Sequence, residues 1–212
     1  MKKTLLAATL MLASAAANAV TWAPTGTVTR TQDFNNIPGI DSASRLEGTT
    51  LEVGDLKIDD NFEYSVTFTY LGEESGFVNK FRLLVNGAVA LQEGDAQGTT
   101  ATAIFNKTNF NFNFEGDLGK FAINGGTKSP GTSIGLIGTG LTVSTLPVNM
   151  NTFAFVLGYN DSAGEQFVGD WDDFVIGVNF ARGPNEIPEP STYMLMLAGL
   201  LGLGFIARRR MN

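Results

Sequence analysis

The stretch Asp170-Trp171-Asp172-Asp173 sets three carboxylates within four residues, directly ahead of the apolar run Phe174–Phe180. Like charges this close repel unless solvent or a cation relieves them, and oxygen-only donors on a loop are what Ca2+ takes. Asn160 and Asp161, a short way upstream, extend the same oxygen set. The spacing is not that of an EF-hand, because no Gly stands at the sixth position and no Glu at the twelfth. Two readings of the cluster therefore stand. Asn160, Asp161, Asp170, Asp172 and Asp173 are metal ligands for Ca2+, or they form a solvated turn with an Asx cap at the mouth of a strand. Trp171 likewise reads either as an exposed ring that stacks on a ligand or as an anchoring core aromatic.

Composition limits the remaining chemistry. The 212 residues include no His and no Cys. Thiolate and imidazole zinc sites, haem held by either residue, Cys proteases and Ser-His-Asp triads are excluded, and no disulfide framework exists. Carboxylate chemistry stays open, but Glu73 and Glu74 are adjacent. Neighbours on a strand point to opposite faces, so this pair reads as a polar turn rather than the two acids of a glycosidase. The row Asn109, Asn111, Asn113 reads as the solvent face of a strand or as a flat polar surface for sugar. No phosphate loop and no nucleophile with a base is present, so the expectation is a protein that is not an enzyme.

The elements that hold these residues repeat with period two. In Phe62–Tyr70, Phe62, Tyr64, Val66, Phe68 and Tyr70 alternate with Glu63, Ser65, Thr67 and Thr69, the pattern of a half-buried strand. Thr108–Gly116 repeats it with Phe110, Phe112 and Phe114 against the three asparagines. Asn151–Asn160 and Asp172–Phe180 are further strands, with weaker ones over Thr50–Ile58, Phe77–Val85, Thr100–Phe105, Phe121–Asn124 and Leu141–Ser144. Gly-, Asn- and Asp-rich turns separate them. About eight short strands read as an all-β fold, an antiparallel β-sandwich or jelly roll, whose apolar faces require two layers. Val20 to about Leu46 is less periodic and is expected to supply one edge strand.

The two ends have their own logic. Lys2 and Lys3, the apolar stretch Thr4–Ala16 and the small residues Ala17 and Ala19 form a secretory signal peptide (residues 1–19), cut by signal peptidase after Ala19. Residues 20–180 are the folding domain and 181–186 a Pro- and Gly-containing linker. Residues 187–212 hold Ile187-Pro188-Glu189-Pro190, the apolar run Tyr193–Ala207 and Arg208-Arg209-Arg210. The run is short for a bilayer but spans a thinned one as a transmembrane helix, with the arginines as a stop-transfer signal that keeps the C-terminus cytoplasmic. Each proline disfavours helix at the residue before it, so the segment around Glu189 stays extended, as a peptidase cleft requires.

The whole chain carries a net charge of −7. Setting aside five cations and one anion in the two terminal segments leaves −11 on residues 20–186. Such a globule repels nucleic acid and anionic headgroups, so cations, neutral glycans or other proteins are the partners to expect.

Pro188, Glu189 and Pro190, the apolar helix and the terminal arginines together resemble the PEP-CTERM sorting signal of Gram-negative bacteria. That resemblance implies recognition by an integral-membrane exosortase, a peptidase or transpeptidase acting near Pro-Glu-Pro. It implies export through the inner membrane and transient anchoring there by the tail. The destination it implies is the cell surface, the outer membrane or the extracellular matrix. A permanent single-pass anchor is the other reading of the same tail. Inside the domain, the segments around Gly76-Phe77-Val78-Asn79 and Asp170-x-Asp172-Asp173 are similar to stretches that recur in exported PEP-CTERM proteins. This resemblance implies association with extracellular polysaccharide or biofilm. A Ca2+-dependent carbohydrate-binding module is the alternative.

Overall fold

Where apolar and polar residues alternate, the chain forms strands, and those strands assemble into two antiparallel sheets. The computed structural model describes residues 19–29, 50–85, 87–147, 151–161 and 170–183. The strands are β1 (Val20–Thr29), β2 (Thr50–Ile58), β3 (Tyr64–Gly72), β4 (Lys80–Leu83), β5 (Ala88–Gln92), β6 (Thr100–Phe105), β7 (Phe112–Glu115), β8 (Phe121–Ile123), β9 (Ser133–Thr142), β10 (Thr152–Asn160) and β11 (Phe174–Arg182). The larger sheet runs β1-β2-β9-β10-β11-β3-β6 and the smaller β5-β4-β7-β8. Among the described residues the only helical element is a 3-10 turn, Asp117–Gly119.

Aromatic rings from both sheets build the core between them. Phe68 of β3 lies 4.8 Å from Phe81 of β4 and 5.3 Å from Phe112 of β7, centroid to centroid. Phe114 of β7 stacks on Tyr159 of β10 at 5.3 Å. Edge and offset ring pairs of this kind contribute about 0.5–1.5 kcal/mol each beyond their buried area. The alternation of Phe110, Phe112 and Phe114 is thus a row of inward teeth, all three buried. A second apolar cluster, with Leu71, Ile137, Phe153, Val156 and Val175, is separate from this main core.

Several strand boundaries differ from the sequence expectation, each for a local reason. β3 begins at Tyr64 rather than Phe62, because Asp60 captures the chain there. Its Oδ1 accepts from the Phe62 amide (3.1 Å) and its Oδ2 from the Tyr64 hydroxyl (2.6 Å). The ring of Phe62 lies under the Arg182 guanidinium instead, 4.0 Å away. Phe77–Val85 shrinks to Lys80–Leu83, with Phe77, Val78, Leu84 and Val85 left exposed. Of Leu141–Ser144 only Leu141 and Thr142 are strand, as the end of the longer β9, whose Gly135, Gly138 and Gly140 leave its earlier part without an alternating pattern. β5 carries no alternation and was not anticipated. β1 does lie at the edge of the large sheet, kinked between Pro24 and Gly26.

β11 continues to Arg182, two residues into the stretch read as linker, and the compact unit ends there. Ala17, the sorting motif Pro188, Glu189 and Pro190, the apolar run behind it and Arg208 to Arg210 lie outside the described residues. No helix among the described residues is long and apolar enough to cross a membrane.

Candidate cation site

Trp171 fixes the loop that carries the acids. Its side chain is completely buried, and its indole Nε1 donates to Ser133 Oγ at 2.8 Å. The ring lies on Gly135, where an added Cβ would stand 2.8–2.9 Å from three indole atoms. Its backbone lies on Gly158, where an added Cβ would meet the Trp171 carbonyl oxygen at 2.1 Å. Gly135 and Gly158 are paired across β9 and β10, so the two glycines form one floor under the tryptophan. The exposed-ring reading of Trp171 is thereby corrected: close glycine packing and a satisfied N–H make it the anchor of the loop.

With Trp171 turned inward, Asp170 and Asp172 flank it and Asp173 leads into β11. One carboxylate oxygen from each of Asp170, Asp172 and Asp173 lies within 4.8 Å of the others. Two oxygens bound to one Ca2+ ion at about 2.4 Å lie no farther apart than about that distance, so the three are close enough to share an ion. Asp172 is buried, and its carbonyl accepts the Glu74 amide at 2.8 Å. Asp170 Oδ1 is buried with no hydrogen-bond partner among the described residues. The donor set is all oxygen, which fits a hard cation better than zinc.

Asp161 and Asn160 hold different places. Asn160 ends β10 and pairs with Ser133. The Asp161 amide donates to Asp173 Oδ2 at 2.7 Å. Its own Oδ2 accepts from Ser75 Oγ (3.0 Å) and from Asn79 Nδ2 (3.3 Å). Asn79, fully buried, also donates to the Asp173 carbonyl at 3.1 Å. Asp170, Asp172 and Asp173 thus form the inner triplet, while Asp161 is tied to the polar groups that brace it.

Burial and charge crowding act together on one of these acids. Burial, followed by the negative charges of Asp161 and Asp170, pushes the Asp173 carboxyl up to about 8, against the opposing pull of the Asp161 amide. A carboxyl that holds its proton at neutral pH must release it before it can serve as a ligand to a cation. Burial, then Asp161 and Asp173, also raises the Tyr159 hydroxyl. Glu73 is raised by burial and by Glu93, and its Oε2 accepts the Ser75 amide at 3.1 Å, as a polar turn requires.

Ser75 and Asn79 were not assigned to the acids from sequence, since almost a hundred residues separate Asn79 from Asp173. The signal was nevertheless present. Asn79 closes the Gly76-Phe77-Val78-Asn79 segment, and Asp173 closes Asp170-x-Asp172-Asp173. The fold brings these two segments into contact.

Residues 186–210 match the family described as PEP-CTERM protein-sorting motif. This match is consistent with an exosortase substrate, and it implies export with membrane-associated sorting. No curated protein and no solved structure matches the chain.

Proposed function

We propose that this chain is a non-enzymatic surface or matrix protein, an all-β domain delivered by its signal peptide and released or attached through its tail. In this reading it serves the extracellular polysaccharide or biofilm layer. The observation that carries it is the sorting motif at residues 186–210. The acidic, Cys- and His-free composition supports it, since that composition suits neutral glycan or protein partners more than nucleic acid.

The test is Glu189→Ala in a host with the processing exosortase and in one without. The change removes one charge outside the apolar run, so membrane insertion by a simple anchor is unaffected. The expected result is uncleaved protein held in the inner membrane of the competent host. Mass and location identical to the unaltered chain in both hosts would reduce the tail to an anchor and remove the reading's main support.

A second reading, a Ca2+-dependent carbohydrate-binding module, is favoured by the converging oxygens of Asp170, Asp172 and Asp173. Saturation at a hundred times the dissociation constant stabilises a folded protein by about 2.7 kcal/mol. Added Ca2+ should therefore raise the melting temperature, and Asp170→Asn with Asp172→Asn should abolish the rise. No shift at millimolar Ca2+ would leave the acids as a solvated turn.

A further inference from the structure

The outward face of the smaller sheet holds a cleft of about 380 Å³, lined by residues of β7, β8 and the turn that joins them. Its floor is β7 and β8, with Asn113 opposite Ile123 and Glu115 opposite Phe121. Alternation sends Phe112 and Phe114 into the core, so Asn113 and Glu115 face the other way, as do Phe121 and Ile123 on either side of buried Ala122. Lys120 and Gly119 form a wall. The volume falls at the small end of the range for small-molecule sites.

Glu115 is held by two donors on its own face of the sheet. Arg82 Nε gives a 2.6 Å ion pair to Oε2, and Asn113 Nδ2 donates to Oε1 at 3.0 Å. Arg82 is itself steadied by its bond to the Gly87 carbonyl, 3.2 Å away. A carboxylate offers about four acceptor sites, and these partners occupy two. The rest belong to an immobilised, one-third-exposed group on the cleft face. Asn113 is nearly buried, and its Oδ1 has no partner among the described residues. That arrangement is costly for an amide whose other end does nothing but orient Glu115.

A fixed acceptor beside a partly exposed aromatic ring matches one ligand chemistry. Vicinal hydroxyls bind the carboxylate while the C–H face of the same ring-shaped molecule lies against Phe121. The Arg82–Glu115 pair is neutral overall, and the one further cation of the wall, Lys120, turns its Nζ to the Pro130 carbonyl at 3.2 Å. The surrounding domain carries −11, so an anionic polymer is repelled and a neutral one is not. We propose that this cleft binds a neutral sugar residue of a polysaccharide, with Glu115 as the hydroxyl acceptor, Phe121 as the apolar platform and Asn113 as the positioning residue. The inference rests on the surface-protein reading for its biological setting.

The full chain in mild detergent is run in native gels containing hydroxyethylcellulose, xyloglucan, galactomannan or dextran, with alginate as the anionic comparison. Retardation by at least one neutral polymer, and not by alginate, is expected. Glu115→Gln and Phe121→Ala should each weaken it about tenfold or more, with unchanged near-UV circular dichroism. Asn113→Ala should weaken it through Glu115, and so should have little further effect when added to Glu115→Gln. Retardation by none of the neutral polymers, equal retardation by alginate, or retardation that survives both Glu115→Gln and Phe121→Ala would overturn the proposal. Sorting is scored separately through Glu189. A sorted protein that binds no glycan refutes this inference alone, while a glycan binder whose tail is inert refutes the sorting reading alone.

Discussion

Gly158→Ala tests the packing that holds the acidic loop in place. A Cβ at this position would sit 2.1 Å from the Trp171 carbonyl oxygen and 2.7 Å from the Trp171 Cβ. Relief needs Trp171 to retreat by more than an ångström, yet its indole is pressed on Gly135 and bonded to Ser133. Overpacking a tight interior costs about 1–3 kcal/mol, and loss of the indole hydrogen bond adds about 1 kcal/mol. The alanine recovers about 0.4–1 kcal/mol by restricting the unfolded chain. The net expectation is about 1–3.5 kcal/mol of destabilisation, or roughly 2–14 °C in melting temperature for a domain of this size. Gly76→Ala is the matched control, because nothing lies within 4 Å of its added Cβ. It should be no less stable than the unaltered protein and should exceed it by up to about 1 kcal/mol. Urea unfolding of residues 20–183, followed by tryptophan fluorescence, measures both. If Gly158→Ala is as harmless as Gly76→Ala, Trp171 does not rest on the glycine floor and the geometry of the acidic triplet fails with it.

Phe112→Asp places a carboxylate among Phe68, Phe81 and Phe114 and should cost at least about 4 kcal/mol, seen as loss of cooperative thermal unfolding. Asp173 supplies a pH test. Burial pushes its folded carboxyl up to about 8 from the ordinary 3.8, so the folded state binds the extra proton. In EDTA this contribution is full at low pH and lost as pH rises towards 8, so urea midpoints should fall between pH 5.5 and about 8. Asp173→Asn should flatten that slope; an unchanged slope would show that another group causes it.

The sequence announced its strands wherever one face was purely apolar. Tyr64, Val66 and Phe68, or Phe112 and Phe114, could hardly be read otherwise. β9 was hidden for an opposite reason. Gly135 and Gly138 carry no side chain to mark a face, and their smallness is explained only by what lies on them, Trp171 and Leu141. The acids Asp170, Asp172 and Asp173 were legible because they are local. Ser75, Asn79 and the partnership of Glu115 with Arg82 were not, since each depends on strand pairing that brings distant segments together. Trp171 shows the same limit: its residue type fits a binding ring as well as a core anchor, and only the neighbouring glycines decide.

Strand order carries a consequence for how such a chain comes to be folded after crossing a membrane. β2 and β3 follow one another in sequence but are held apart in the large sheet by β9, β10 and β11. The centre of that sheet is therefore supplied by residues 133–182, the last part of the domain to be translocated. Until they arrive, β2 and β3 each present a bare edge, the kind of surface that pairs with the wrong chain. Non-local closure of this sort is also slow compared with hairpin formation. Only residues 183–185 separate the end of β11 from the matched sorting segment. The completing strands and the tail thus emerge almost together, so a pause at the membrane while the tail is handled would give the sheet time to close before the protein is let go.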